Sequence, residues 1–289
     1  MRVRTKPLVG VLAVVALAGV LGVVVLVNTM ASNLKLPQIG PACTVRADGE
    51  VALDAVQMAN AATIAAVGVR RNMPEQAIVI ALATAFQESK LENLEDGDRD
   101  SVGLFQQRPS QGWGTVEEIS DPRYSAGRFY TALKKVEGWE EMRITDAAQT
   151  VQRSAYPEAY EKWADKSRVL AAALTGRATQ AVECRFTGTP VLRGAAAATN
   201  LLETLKLDWG KKLAGKAEEA TGSAGLTVAV ADESIGWRYA HWLVSHASAT
   251  GLERVRFGNL QWHAPEGKWQ PLTDGSSADA AQVVAEVYN

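Results

Sequence analysis

Hydrophobic positions change period several times along this chain, and each change marks a predicted element. An uninterrupted apolar run covers Pro7 to Val27. Beyond it, Leu53, Val56, Asn60, Ile64 and Val67 recur at helical spacing. Pro74 and Glu75 open a second helix, in which residues 77–86 (AIVIALATAF) are apolar on every side, as befits a buried central helix. Asp121 as N-cap and Pro122 at the first helical position begin a third, with Ala126, Phe129, Leu133 and Val136 on one face. Thr145 is placed to cap a helix through Val151, and Pro157 starts another that ends near Gly176. No comparable alternating strand pattern interrupts the series, so residues 43–184 are predicted to be almost entirely helical.

The pattern then shifts. Residues 187–200 (TGTPVLRGAAAATN) are small and punctuated by Gly and Pro, and suggest a linker over 185–200. Leu202, Leu205 and Trp209 begin an amphipathic helix, LTVAVA reads as a short buried strand, and a helix follows that ends at Gly251. Two strands flank Gly258-Asn259. Residues 201–289 are therefore expected to form a small α/β or α+β domain.

The N-terminal run fixes an expected location. Arg2, Arg4 and Lys6 precede it, and about 20 residues at about 1.5 Å each span a hydrocarbon core. It is longer than the roughly 7–15 apolar residues of a cleaved signal, and the NTMASN that follows is a poor cleavage site. Residues 1–30 are thus expected to be a cytoplasmic tip and single-pass transmembrane anchor, with the bulk outside the cytoplasm and the membrane engaged through residues 7–27. The only cysteines, Cys43 and Cys184, both lie beyond the run, and an exported chain with an even count predicts a disulfide. A formal net charge of −2, spread along the chain, gives no reason to invoke nucleic acid.

Candidate chemistry concentrates in residues 87–114, QESKLENLEDGDRDSVGLFQQRPSQGWG. Glu88 falls at the end of the apolar helix, on a face with Ala81, Thr84 and Ala85. A carboxyl held against apolar walls loses hydration, which disfavours its charged form and suits it to donate a proton. From residue type alone, a helix-terminal Glu at the surface is the simpler reading. The loop that follows shifts the balance. Gly103 permits close backbone approach, Gln106 and Gln107 offer amides for sugar hydroxyls, and Trp113 and Tyr124 offer flat faces for a pyranose ring.

Glu88-Ser89 followed by Gly103-Leu104-Phe105-Gln106 and Pro109 resembles the lysozyme-like lytic transglycosylase superfamily over roughly residues 50–175, as an actinobacterial, membrane-anchored member. The resemblance implies a mainly α protein: a transmembrane helix, a lysozyme-like all-helical domain over 43–184, then the small α/β domain. It implies Glu88 as the catalytic acid and base acting on the β-1,4 bond between N-acetylmuramic acid and N-acetylglucosamine, where attack by the muramyl C6 hydroxyl leaves a 1,6-anhydro end. Gln106 matches a groove glutamine, and Ser89 would support Glu88.

This chain departs from the family pattern in two places. The family's AYNAG motif is absent; VQRSAYPEAY, residues 151–160, stands in the corresponding region, and Gln152, Ser154 and Tyr156 are assigned to the groove from it. Asp98 or Asp100, beside Asp96, could supply a second carboxylate and permit hydrolysis of the muramidase type. The alternatives are a solvated acidic loop, an Asp98–Arg99 pair, or a calcium loop lacking the closing glutamate of an EF-hand. His241 and His246 lie five apart on different helix faces, so no metal and no cofactor is expected. Trp237, Trp242, Trp262 and Trp269 suggest core packing. The expected partner is the peptidoglycan glycan strand, with residues 201–289 available to a cell-wall or secretion assembly. A non-catalytic wall-binding or scaffold protein is the alternative.

Overall fold

A computed structural model describes residues 42–154, 156–214, 217–219, 224–272 and 281–289. The apolar run 7–27 lies outside the described residues, and among the described residues no helix is long and apolar enough to cross a membrane.

The first half of the described chain is not all-helical, which corrects the expected fold class. Strands β1 (Ala42–Arg46), β2 (Glu50–Asp54) and β3 (Val182–Arg185) form an antiparallel sheet in the order β2-β1-β3. Cys43 stands opposite Cys184 in the β1–β3 register, and the two are joined in a disulfide. The sequence EVALD of β2 alternates exposed and buried positions, so Leu53 belongs to a strand and Val56 is exposed rather than on a core face.

Helix α1 (Ala55–Arg70) follows at once, its N-cap Asp54 and Gln57 exchanging side-chain and backbone bonds in a capping box. Helix α2 (Glu75–Ser89) buries all of residues 77–86, as their all-round apolarity predicts. After the short α3 (Val116–Ile119), helix α4 (Pro122–Leu133) is capped by Asp121 with Pro122 in its first turn. Helix α5 (Ile144–Gln152) has Arg143, not Thr145, at its N-cap. Pro157 opens a 3-10 segment to Trp163 that runs into α6 (Ala164–Leu174).

Helix α7 (Gly194–Ala214) kinks at Gly210, and α8 (Glu233–Thr250) ends on the left-handed Gly251. The remaining strands, β4 (Ala217–Glu219), β5 (Gly225–Ala229), β6 (Leu252–Phe257), β7 (Leu260–His263), β8 (Trp269–Pro271) and β9 (Gln282–Val287), make one antiparallel sheet, ordered β4-β5-β9-β6-β7-β8. Of the two arrangements expected here, α/β or α+β, the antiparallel sheet with its helices is the α+β one.

Residues 41–289 form one compact unit. Trp262 and Trp269 donate their indole N–H groups to the carbonyls of Cys184 and Val182, at 3.1 and 3.0 Å. His241 on α8 accepts from the Ala181 amide at 3.0 Å and sits 2.8 Å from the Ala173 carbonyl. Asp208 on α7 is fully buried: it pairs with Arg123 of α4 at 2.6 Å and accepts from Thr63 of α1 and Trp242 of α8 at 2.8 and 2.9 Å. The C-terminal sheet and helices thus pack on β3, α1, α4 and the end of α6.

Candidate functional site

Glu88 occupies the last turn of α2, half-buried. The helix stops because Lys90 takes a left-handed conformation, φ +58°, and Leu91 repeats it at +64°. Ser89 is buried and its hydroxyl lies 3.1 Å from the Ala85 carbonyl and 2.7 Å from that of Leu104, tying the helix end to the following loop. Gly103 has φ +78°, and a Cβ there would lie 2.8 Å from the Ile119 carbonyl oxygen, so only glycine fits.

Two donors converge on one oxygen of the Glu88 carboxylate. Tyr160 donates its phenol O–H to Oε1 at 2.7 Å, and Gln152 donates its amide to the same oxygen at 3.1 Å while also reaching the Phe105 carbonyl at 2.8 Å. Among the described residues no hydrogen bond reaches Oε2. Tyr160 is fully buried; burial first, and then the Glu88 carboxylate, push its phenol above its ordinary value. It therefore stays protonated and donates to Glu88. Both protein donors are on Oε1, which leaves Oε2 without a protein donor.

Of the residues picked from sequence, Gln152 is brought to Glu88 and Ser89 acts through the loop. Gln106 folds back instead, its amide N–H on the Gly103 carbonyl at 3.2 Å and its oxygen receiving the Ser101 hydroxyl at 3.0 Å. Gln107 is buried and donates to the Ser125 carbonyl at 3.1 Å, which makes it a tie between the loop and α4 rather than a groove residue. Trp113 is half-buried and lines a cavity; Tyr124 buttresses it, donating to the Trp113 carbonyl at 3.3 Å. Tyr156 projects into solvent, 73% exposed, and its amide is held by the Ser154 hydroxyl at 3.1 Å.

Neither second-carboxylate candidate contacts Glu88. The Asp98 side chain is 93% exposed and only 3.9 Å from Arg99. Asp100 is held by Arg108 at 2.7 Å and by the Ser110 amide at 2.8 Å. Arg108 above all, then Ser110, keeps the Asp100 carboxyl well below the usual carboxylate range. It fastens its own loop.

Sequence reasoning missed Tyr160. The signal was available: a second tyrosine four residues after Tyr156 in the same motif, whose hydroxyl requires a partner once buried. It also missed the cations around the site. Trp163 stacks on Phe86 at 5.0 Å and donates to Gln87 at 3.0 Å, with Lys90, Lys162 and Lys166 within 5.5 Å of its ring centre. On the other flank a cavity of about 950 Å³ is lined by Trp113, Gln152, Arg128, Lys135 and Arg153, among others. Gln152 thus belongs both to the cavity wall and to Glu88.

Backbone strain gathers here too. Of the seven non-glycine residues with positive φ among the described residues, Lys90, Leu91, Gln106 and Arg153 belong to segments meeting at Glu88. Such conformations cost about 1–3 kcal/mol each and cluster at functional sites. No protein-family model matches the chain, and no curated protein matches it significantly.

Proposed function

We propose that this protein cleaves the glycan strands of peptidoglycan outside the cytoplasm, attached to the membrane through residues 7–27 with its N-terminus cytoplasmic. The Cys43–Cys184 disulfide fits an oxidising compartment. The observation that carries the reading is Glu88: half-buried, fixed through Oε1 by Tyr160 and Gln152, with Gln152 also lining a cavity of about 950 Å³. The resemblance of Glu88-Ser89 and residues 103–109 to lytic transglycosylases supports the same choice.

In this reading protonated Glu88 gives its Oε2 proton to the bridging oxygen of the MurNAc–GlcNAc β-1,4 bond as the C1–O bond breaks. Developing negative charge on the carboxylate is met at Oε1 by the two donors, which need not reorganise. Glu88 then takes a proton from the muramyl C6 hydroxyl as its oxygen bonds to C1, leaving a 1,6-anhydro end with no water consumed. Asp100 is engaged by Arg108 and the Ser110 amide, and Asp98 is exposed beside Arg99, so this reading assigns neither a catalytic role and uses internal attack.

The test is Glu88→Gln, a near-isosteric change at a half-buried position. Release of soluble muropeptides from purified sacculi should stop while the melting temperature stays within a few degrees of wild type. Release at the wild-type rate would refute the proposal. Sacculus binding without soluble products from the wild-type protein would favour a non-catalytic glycan-binding role.

A further inference from the structure

The cavity that shares Gln152 with the Glu88 site is lined by three cations and one acid, in a chain of net charge −2. Arg128 reaches in from α4, Lys135 from just beyond its end, and Arg153 from the C-cap of α5. Glu137 is the one acidic lining residue, and among the described residues none of the three cations has a carboxylate within ion-pair distance. Elsewhere arginines are mostly matched: Arg143 with Asp146 and Glu158, Arg177 with Glu75 and Asp48, Arg256 with Glu286. Arg128 is held in the cavity wall by a 2.9 Å bond from its guanidinium to the Gly112 carbonyl.

The sugar backbone of a glycan strand is uncharged and needs hydroxyl partners and flat apolar faces, which Gln152 and Trp113 provide. It gives no reason for three unmatched cations. The groups in peptidoglycan that do are the carboxylates of the peptide arms carried on the muramic acid lactyl ether. We propose that the groove of Arg128, Lys135 and Arg153 receives the peptide-arm carboxylates of the sugar bound next to Glu88, so that the protein selects strands bearing charged arms. This rests on the function proposed above. Electrostatic complementarity of this kind acts mainly on encounter and selection, and weakens with salt.

The test compares untreated strands with strands whose peptide carboxylates have been amidated chemically, which leaves the sugar chain intact. Lys135 and Arg153 are exposed, so Lys135→Glu/Arg153→Glu should fold, and its melt verifies this. For wild type we expect KM about 10-fold lower on untreated than on amidated strands, the difference shrinking in high salt. The charge-reversed variant should show no such preference. In parallel, peptide arms released from sacculi by an amidase should bind wild type and Glu88→Gln alike in calorimetry, and the reversed variant weakly or not at all. Equal KM on both substrates, or peptide binding unchanged by the reversal, overturns this inference while leaving glycan cleavage intact. A fully active Glu88→Gln overturns the cleavage mechanism instead, and the calorimetry still reads the groove.

Discussion

Replacing Tyr160 by Phe removes one oxygen from the interior and leaves everything else in place. The ring is fully buried, so the apolar packing is retained and no cavity larger than a hydroxyl is created. What disappears is the 2.7 Å bond to Glu88 Oε1. Hydrogen bonds to charged groups contribute roughly 1.5–3 kcal/mol net. If that bond strengthens as Glu88 loses its proton to the leaving oxygen, its loss falls on the transition state and lowers kcat by roughly 10- to 150-fold. Gln152 still holds Oε1 at 3.1 Å, so the carboxylate does not swing away and KM should change less than threefold or so. The assay is initial-rate release of muropeptides at several sacculus concentrations, with thermal melts alongside. A kcat within twofold of wild type in a folded Tyr160→Phe protein would refute the role given to this phenol. So would a loss confined to KM.

Three further outcomes concern the fold. Removing the disulfide as Cys43→Ala/Cys184→Ala should cost about 2–5 kcal/mol, the upper end being the chain-entropy figure for a loop closed across a separation of 141 residues; urea midpoints under oxidising conditions measure it, and an unchanged midpoint would contradict it. Asp208→Ala leaves Arg123 without its buried partner and should destabilise by about 3–5 kcal/mol, checked by the same titration against the Asp208→Ala/Arg123→Met double variant, which should recover part of the loss. His241 is pushed down to about 4 by burial, and the Ala181 amide points at Nε2, so the folded protein resists the second proton. The unfolded chain takes up that proton first as pH falls, so this stability is present above about pH 6.5 and is lost progressively towards pH 4. From about pH 7 to pH 5 the loss should be roughly 2 kcal/mol, smaller in His241→Gln, and equal pH dependence of the two proteins would contradict it.

What could be read in the sequence was what local chemistry decides. Residues 77–86 are apolar all round, Asp121-Pro122 is a helix start in any context, and Gly251 and Gly258 occur where the chain must adopt positive φ. The first sheet was hidden because its strands are four or five residues long and β3 lies far along the chain from β1. In β2, EVALD carries a period of two, but it abuts a helix and Leu53 happens to continue that helix's spacing. The shared core was illegible for a related reason: Asp208 looks like a surface charge until Arg123, Thr63 and Trp242 converge on it from three helices.

The site divided along the same line. Glu88 was legible because a single acid at the end of a buried helix is conspicuous. Gln106 and Gln107 were not separable, since adjacent identical side chains take opposite faces: one folds onto its own loop and the other ties down α4. Tyr160 and the groove cations come from three different segments, and only the fold brings Tyr160 to Glu88 and the cations to one cavity wall with Gln152.

Mass analysis of the muropeptides released from purified sacculi bears most directly on Glu88 acting alone as acid and base. The wild-type protein should release 1,6-anhydro products, one water lighter than hydrolysed ends, and Glu88→Gln should release none. Anhydro products released at undiminished rate by Glu88→Gln would contradict it.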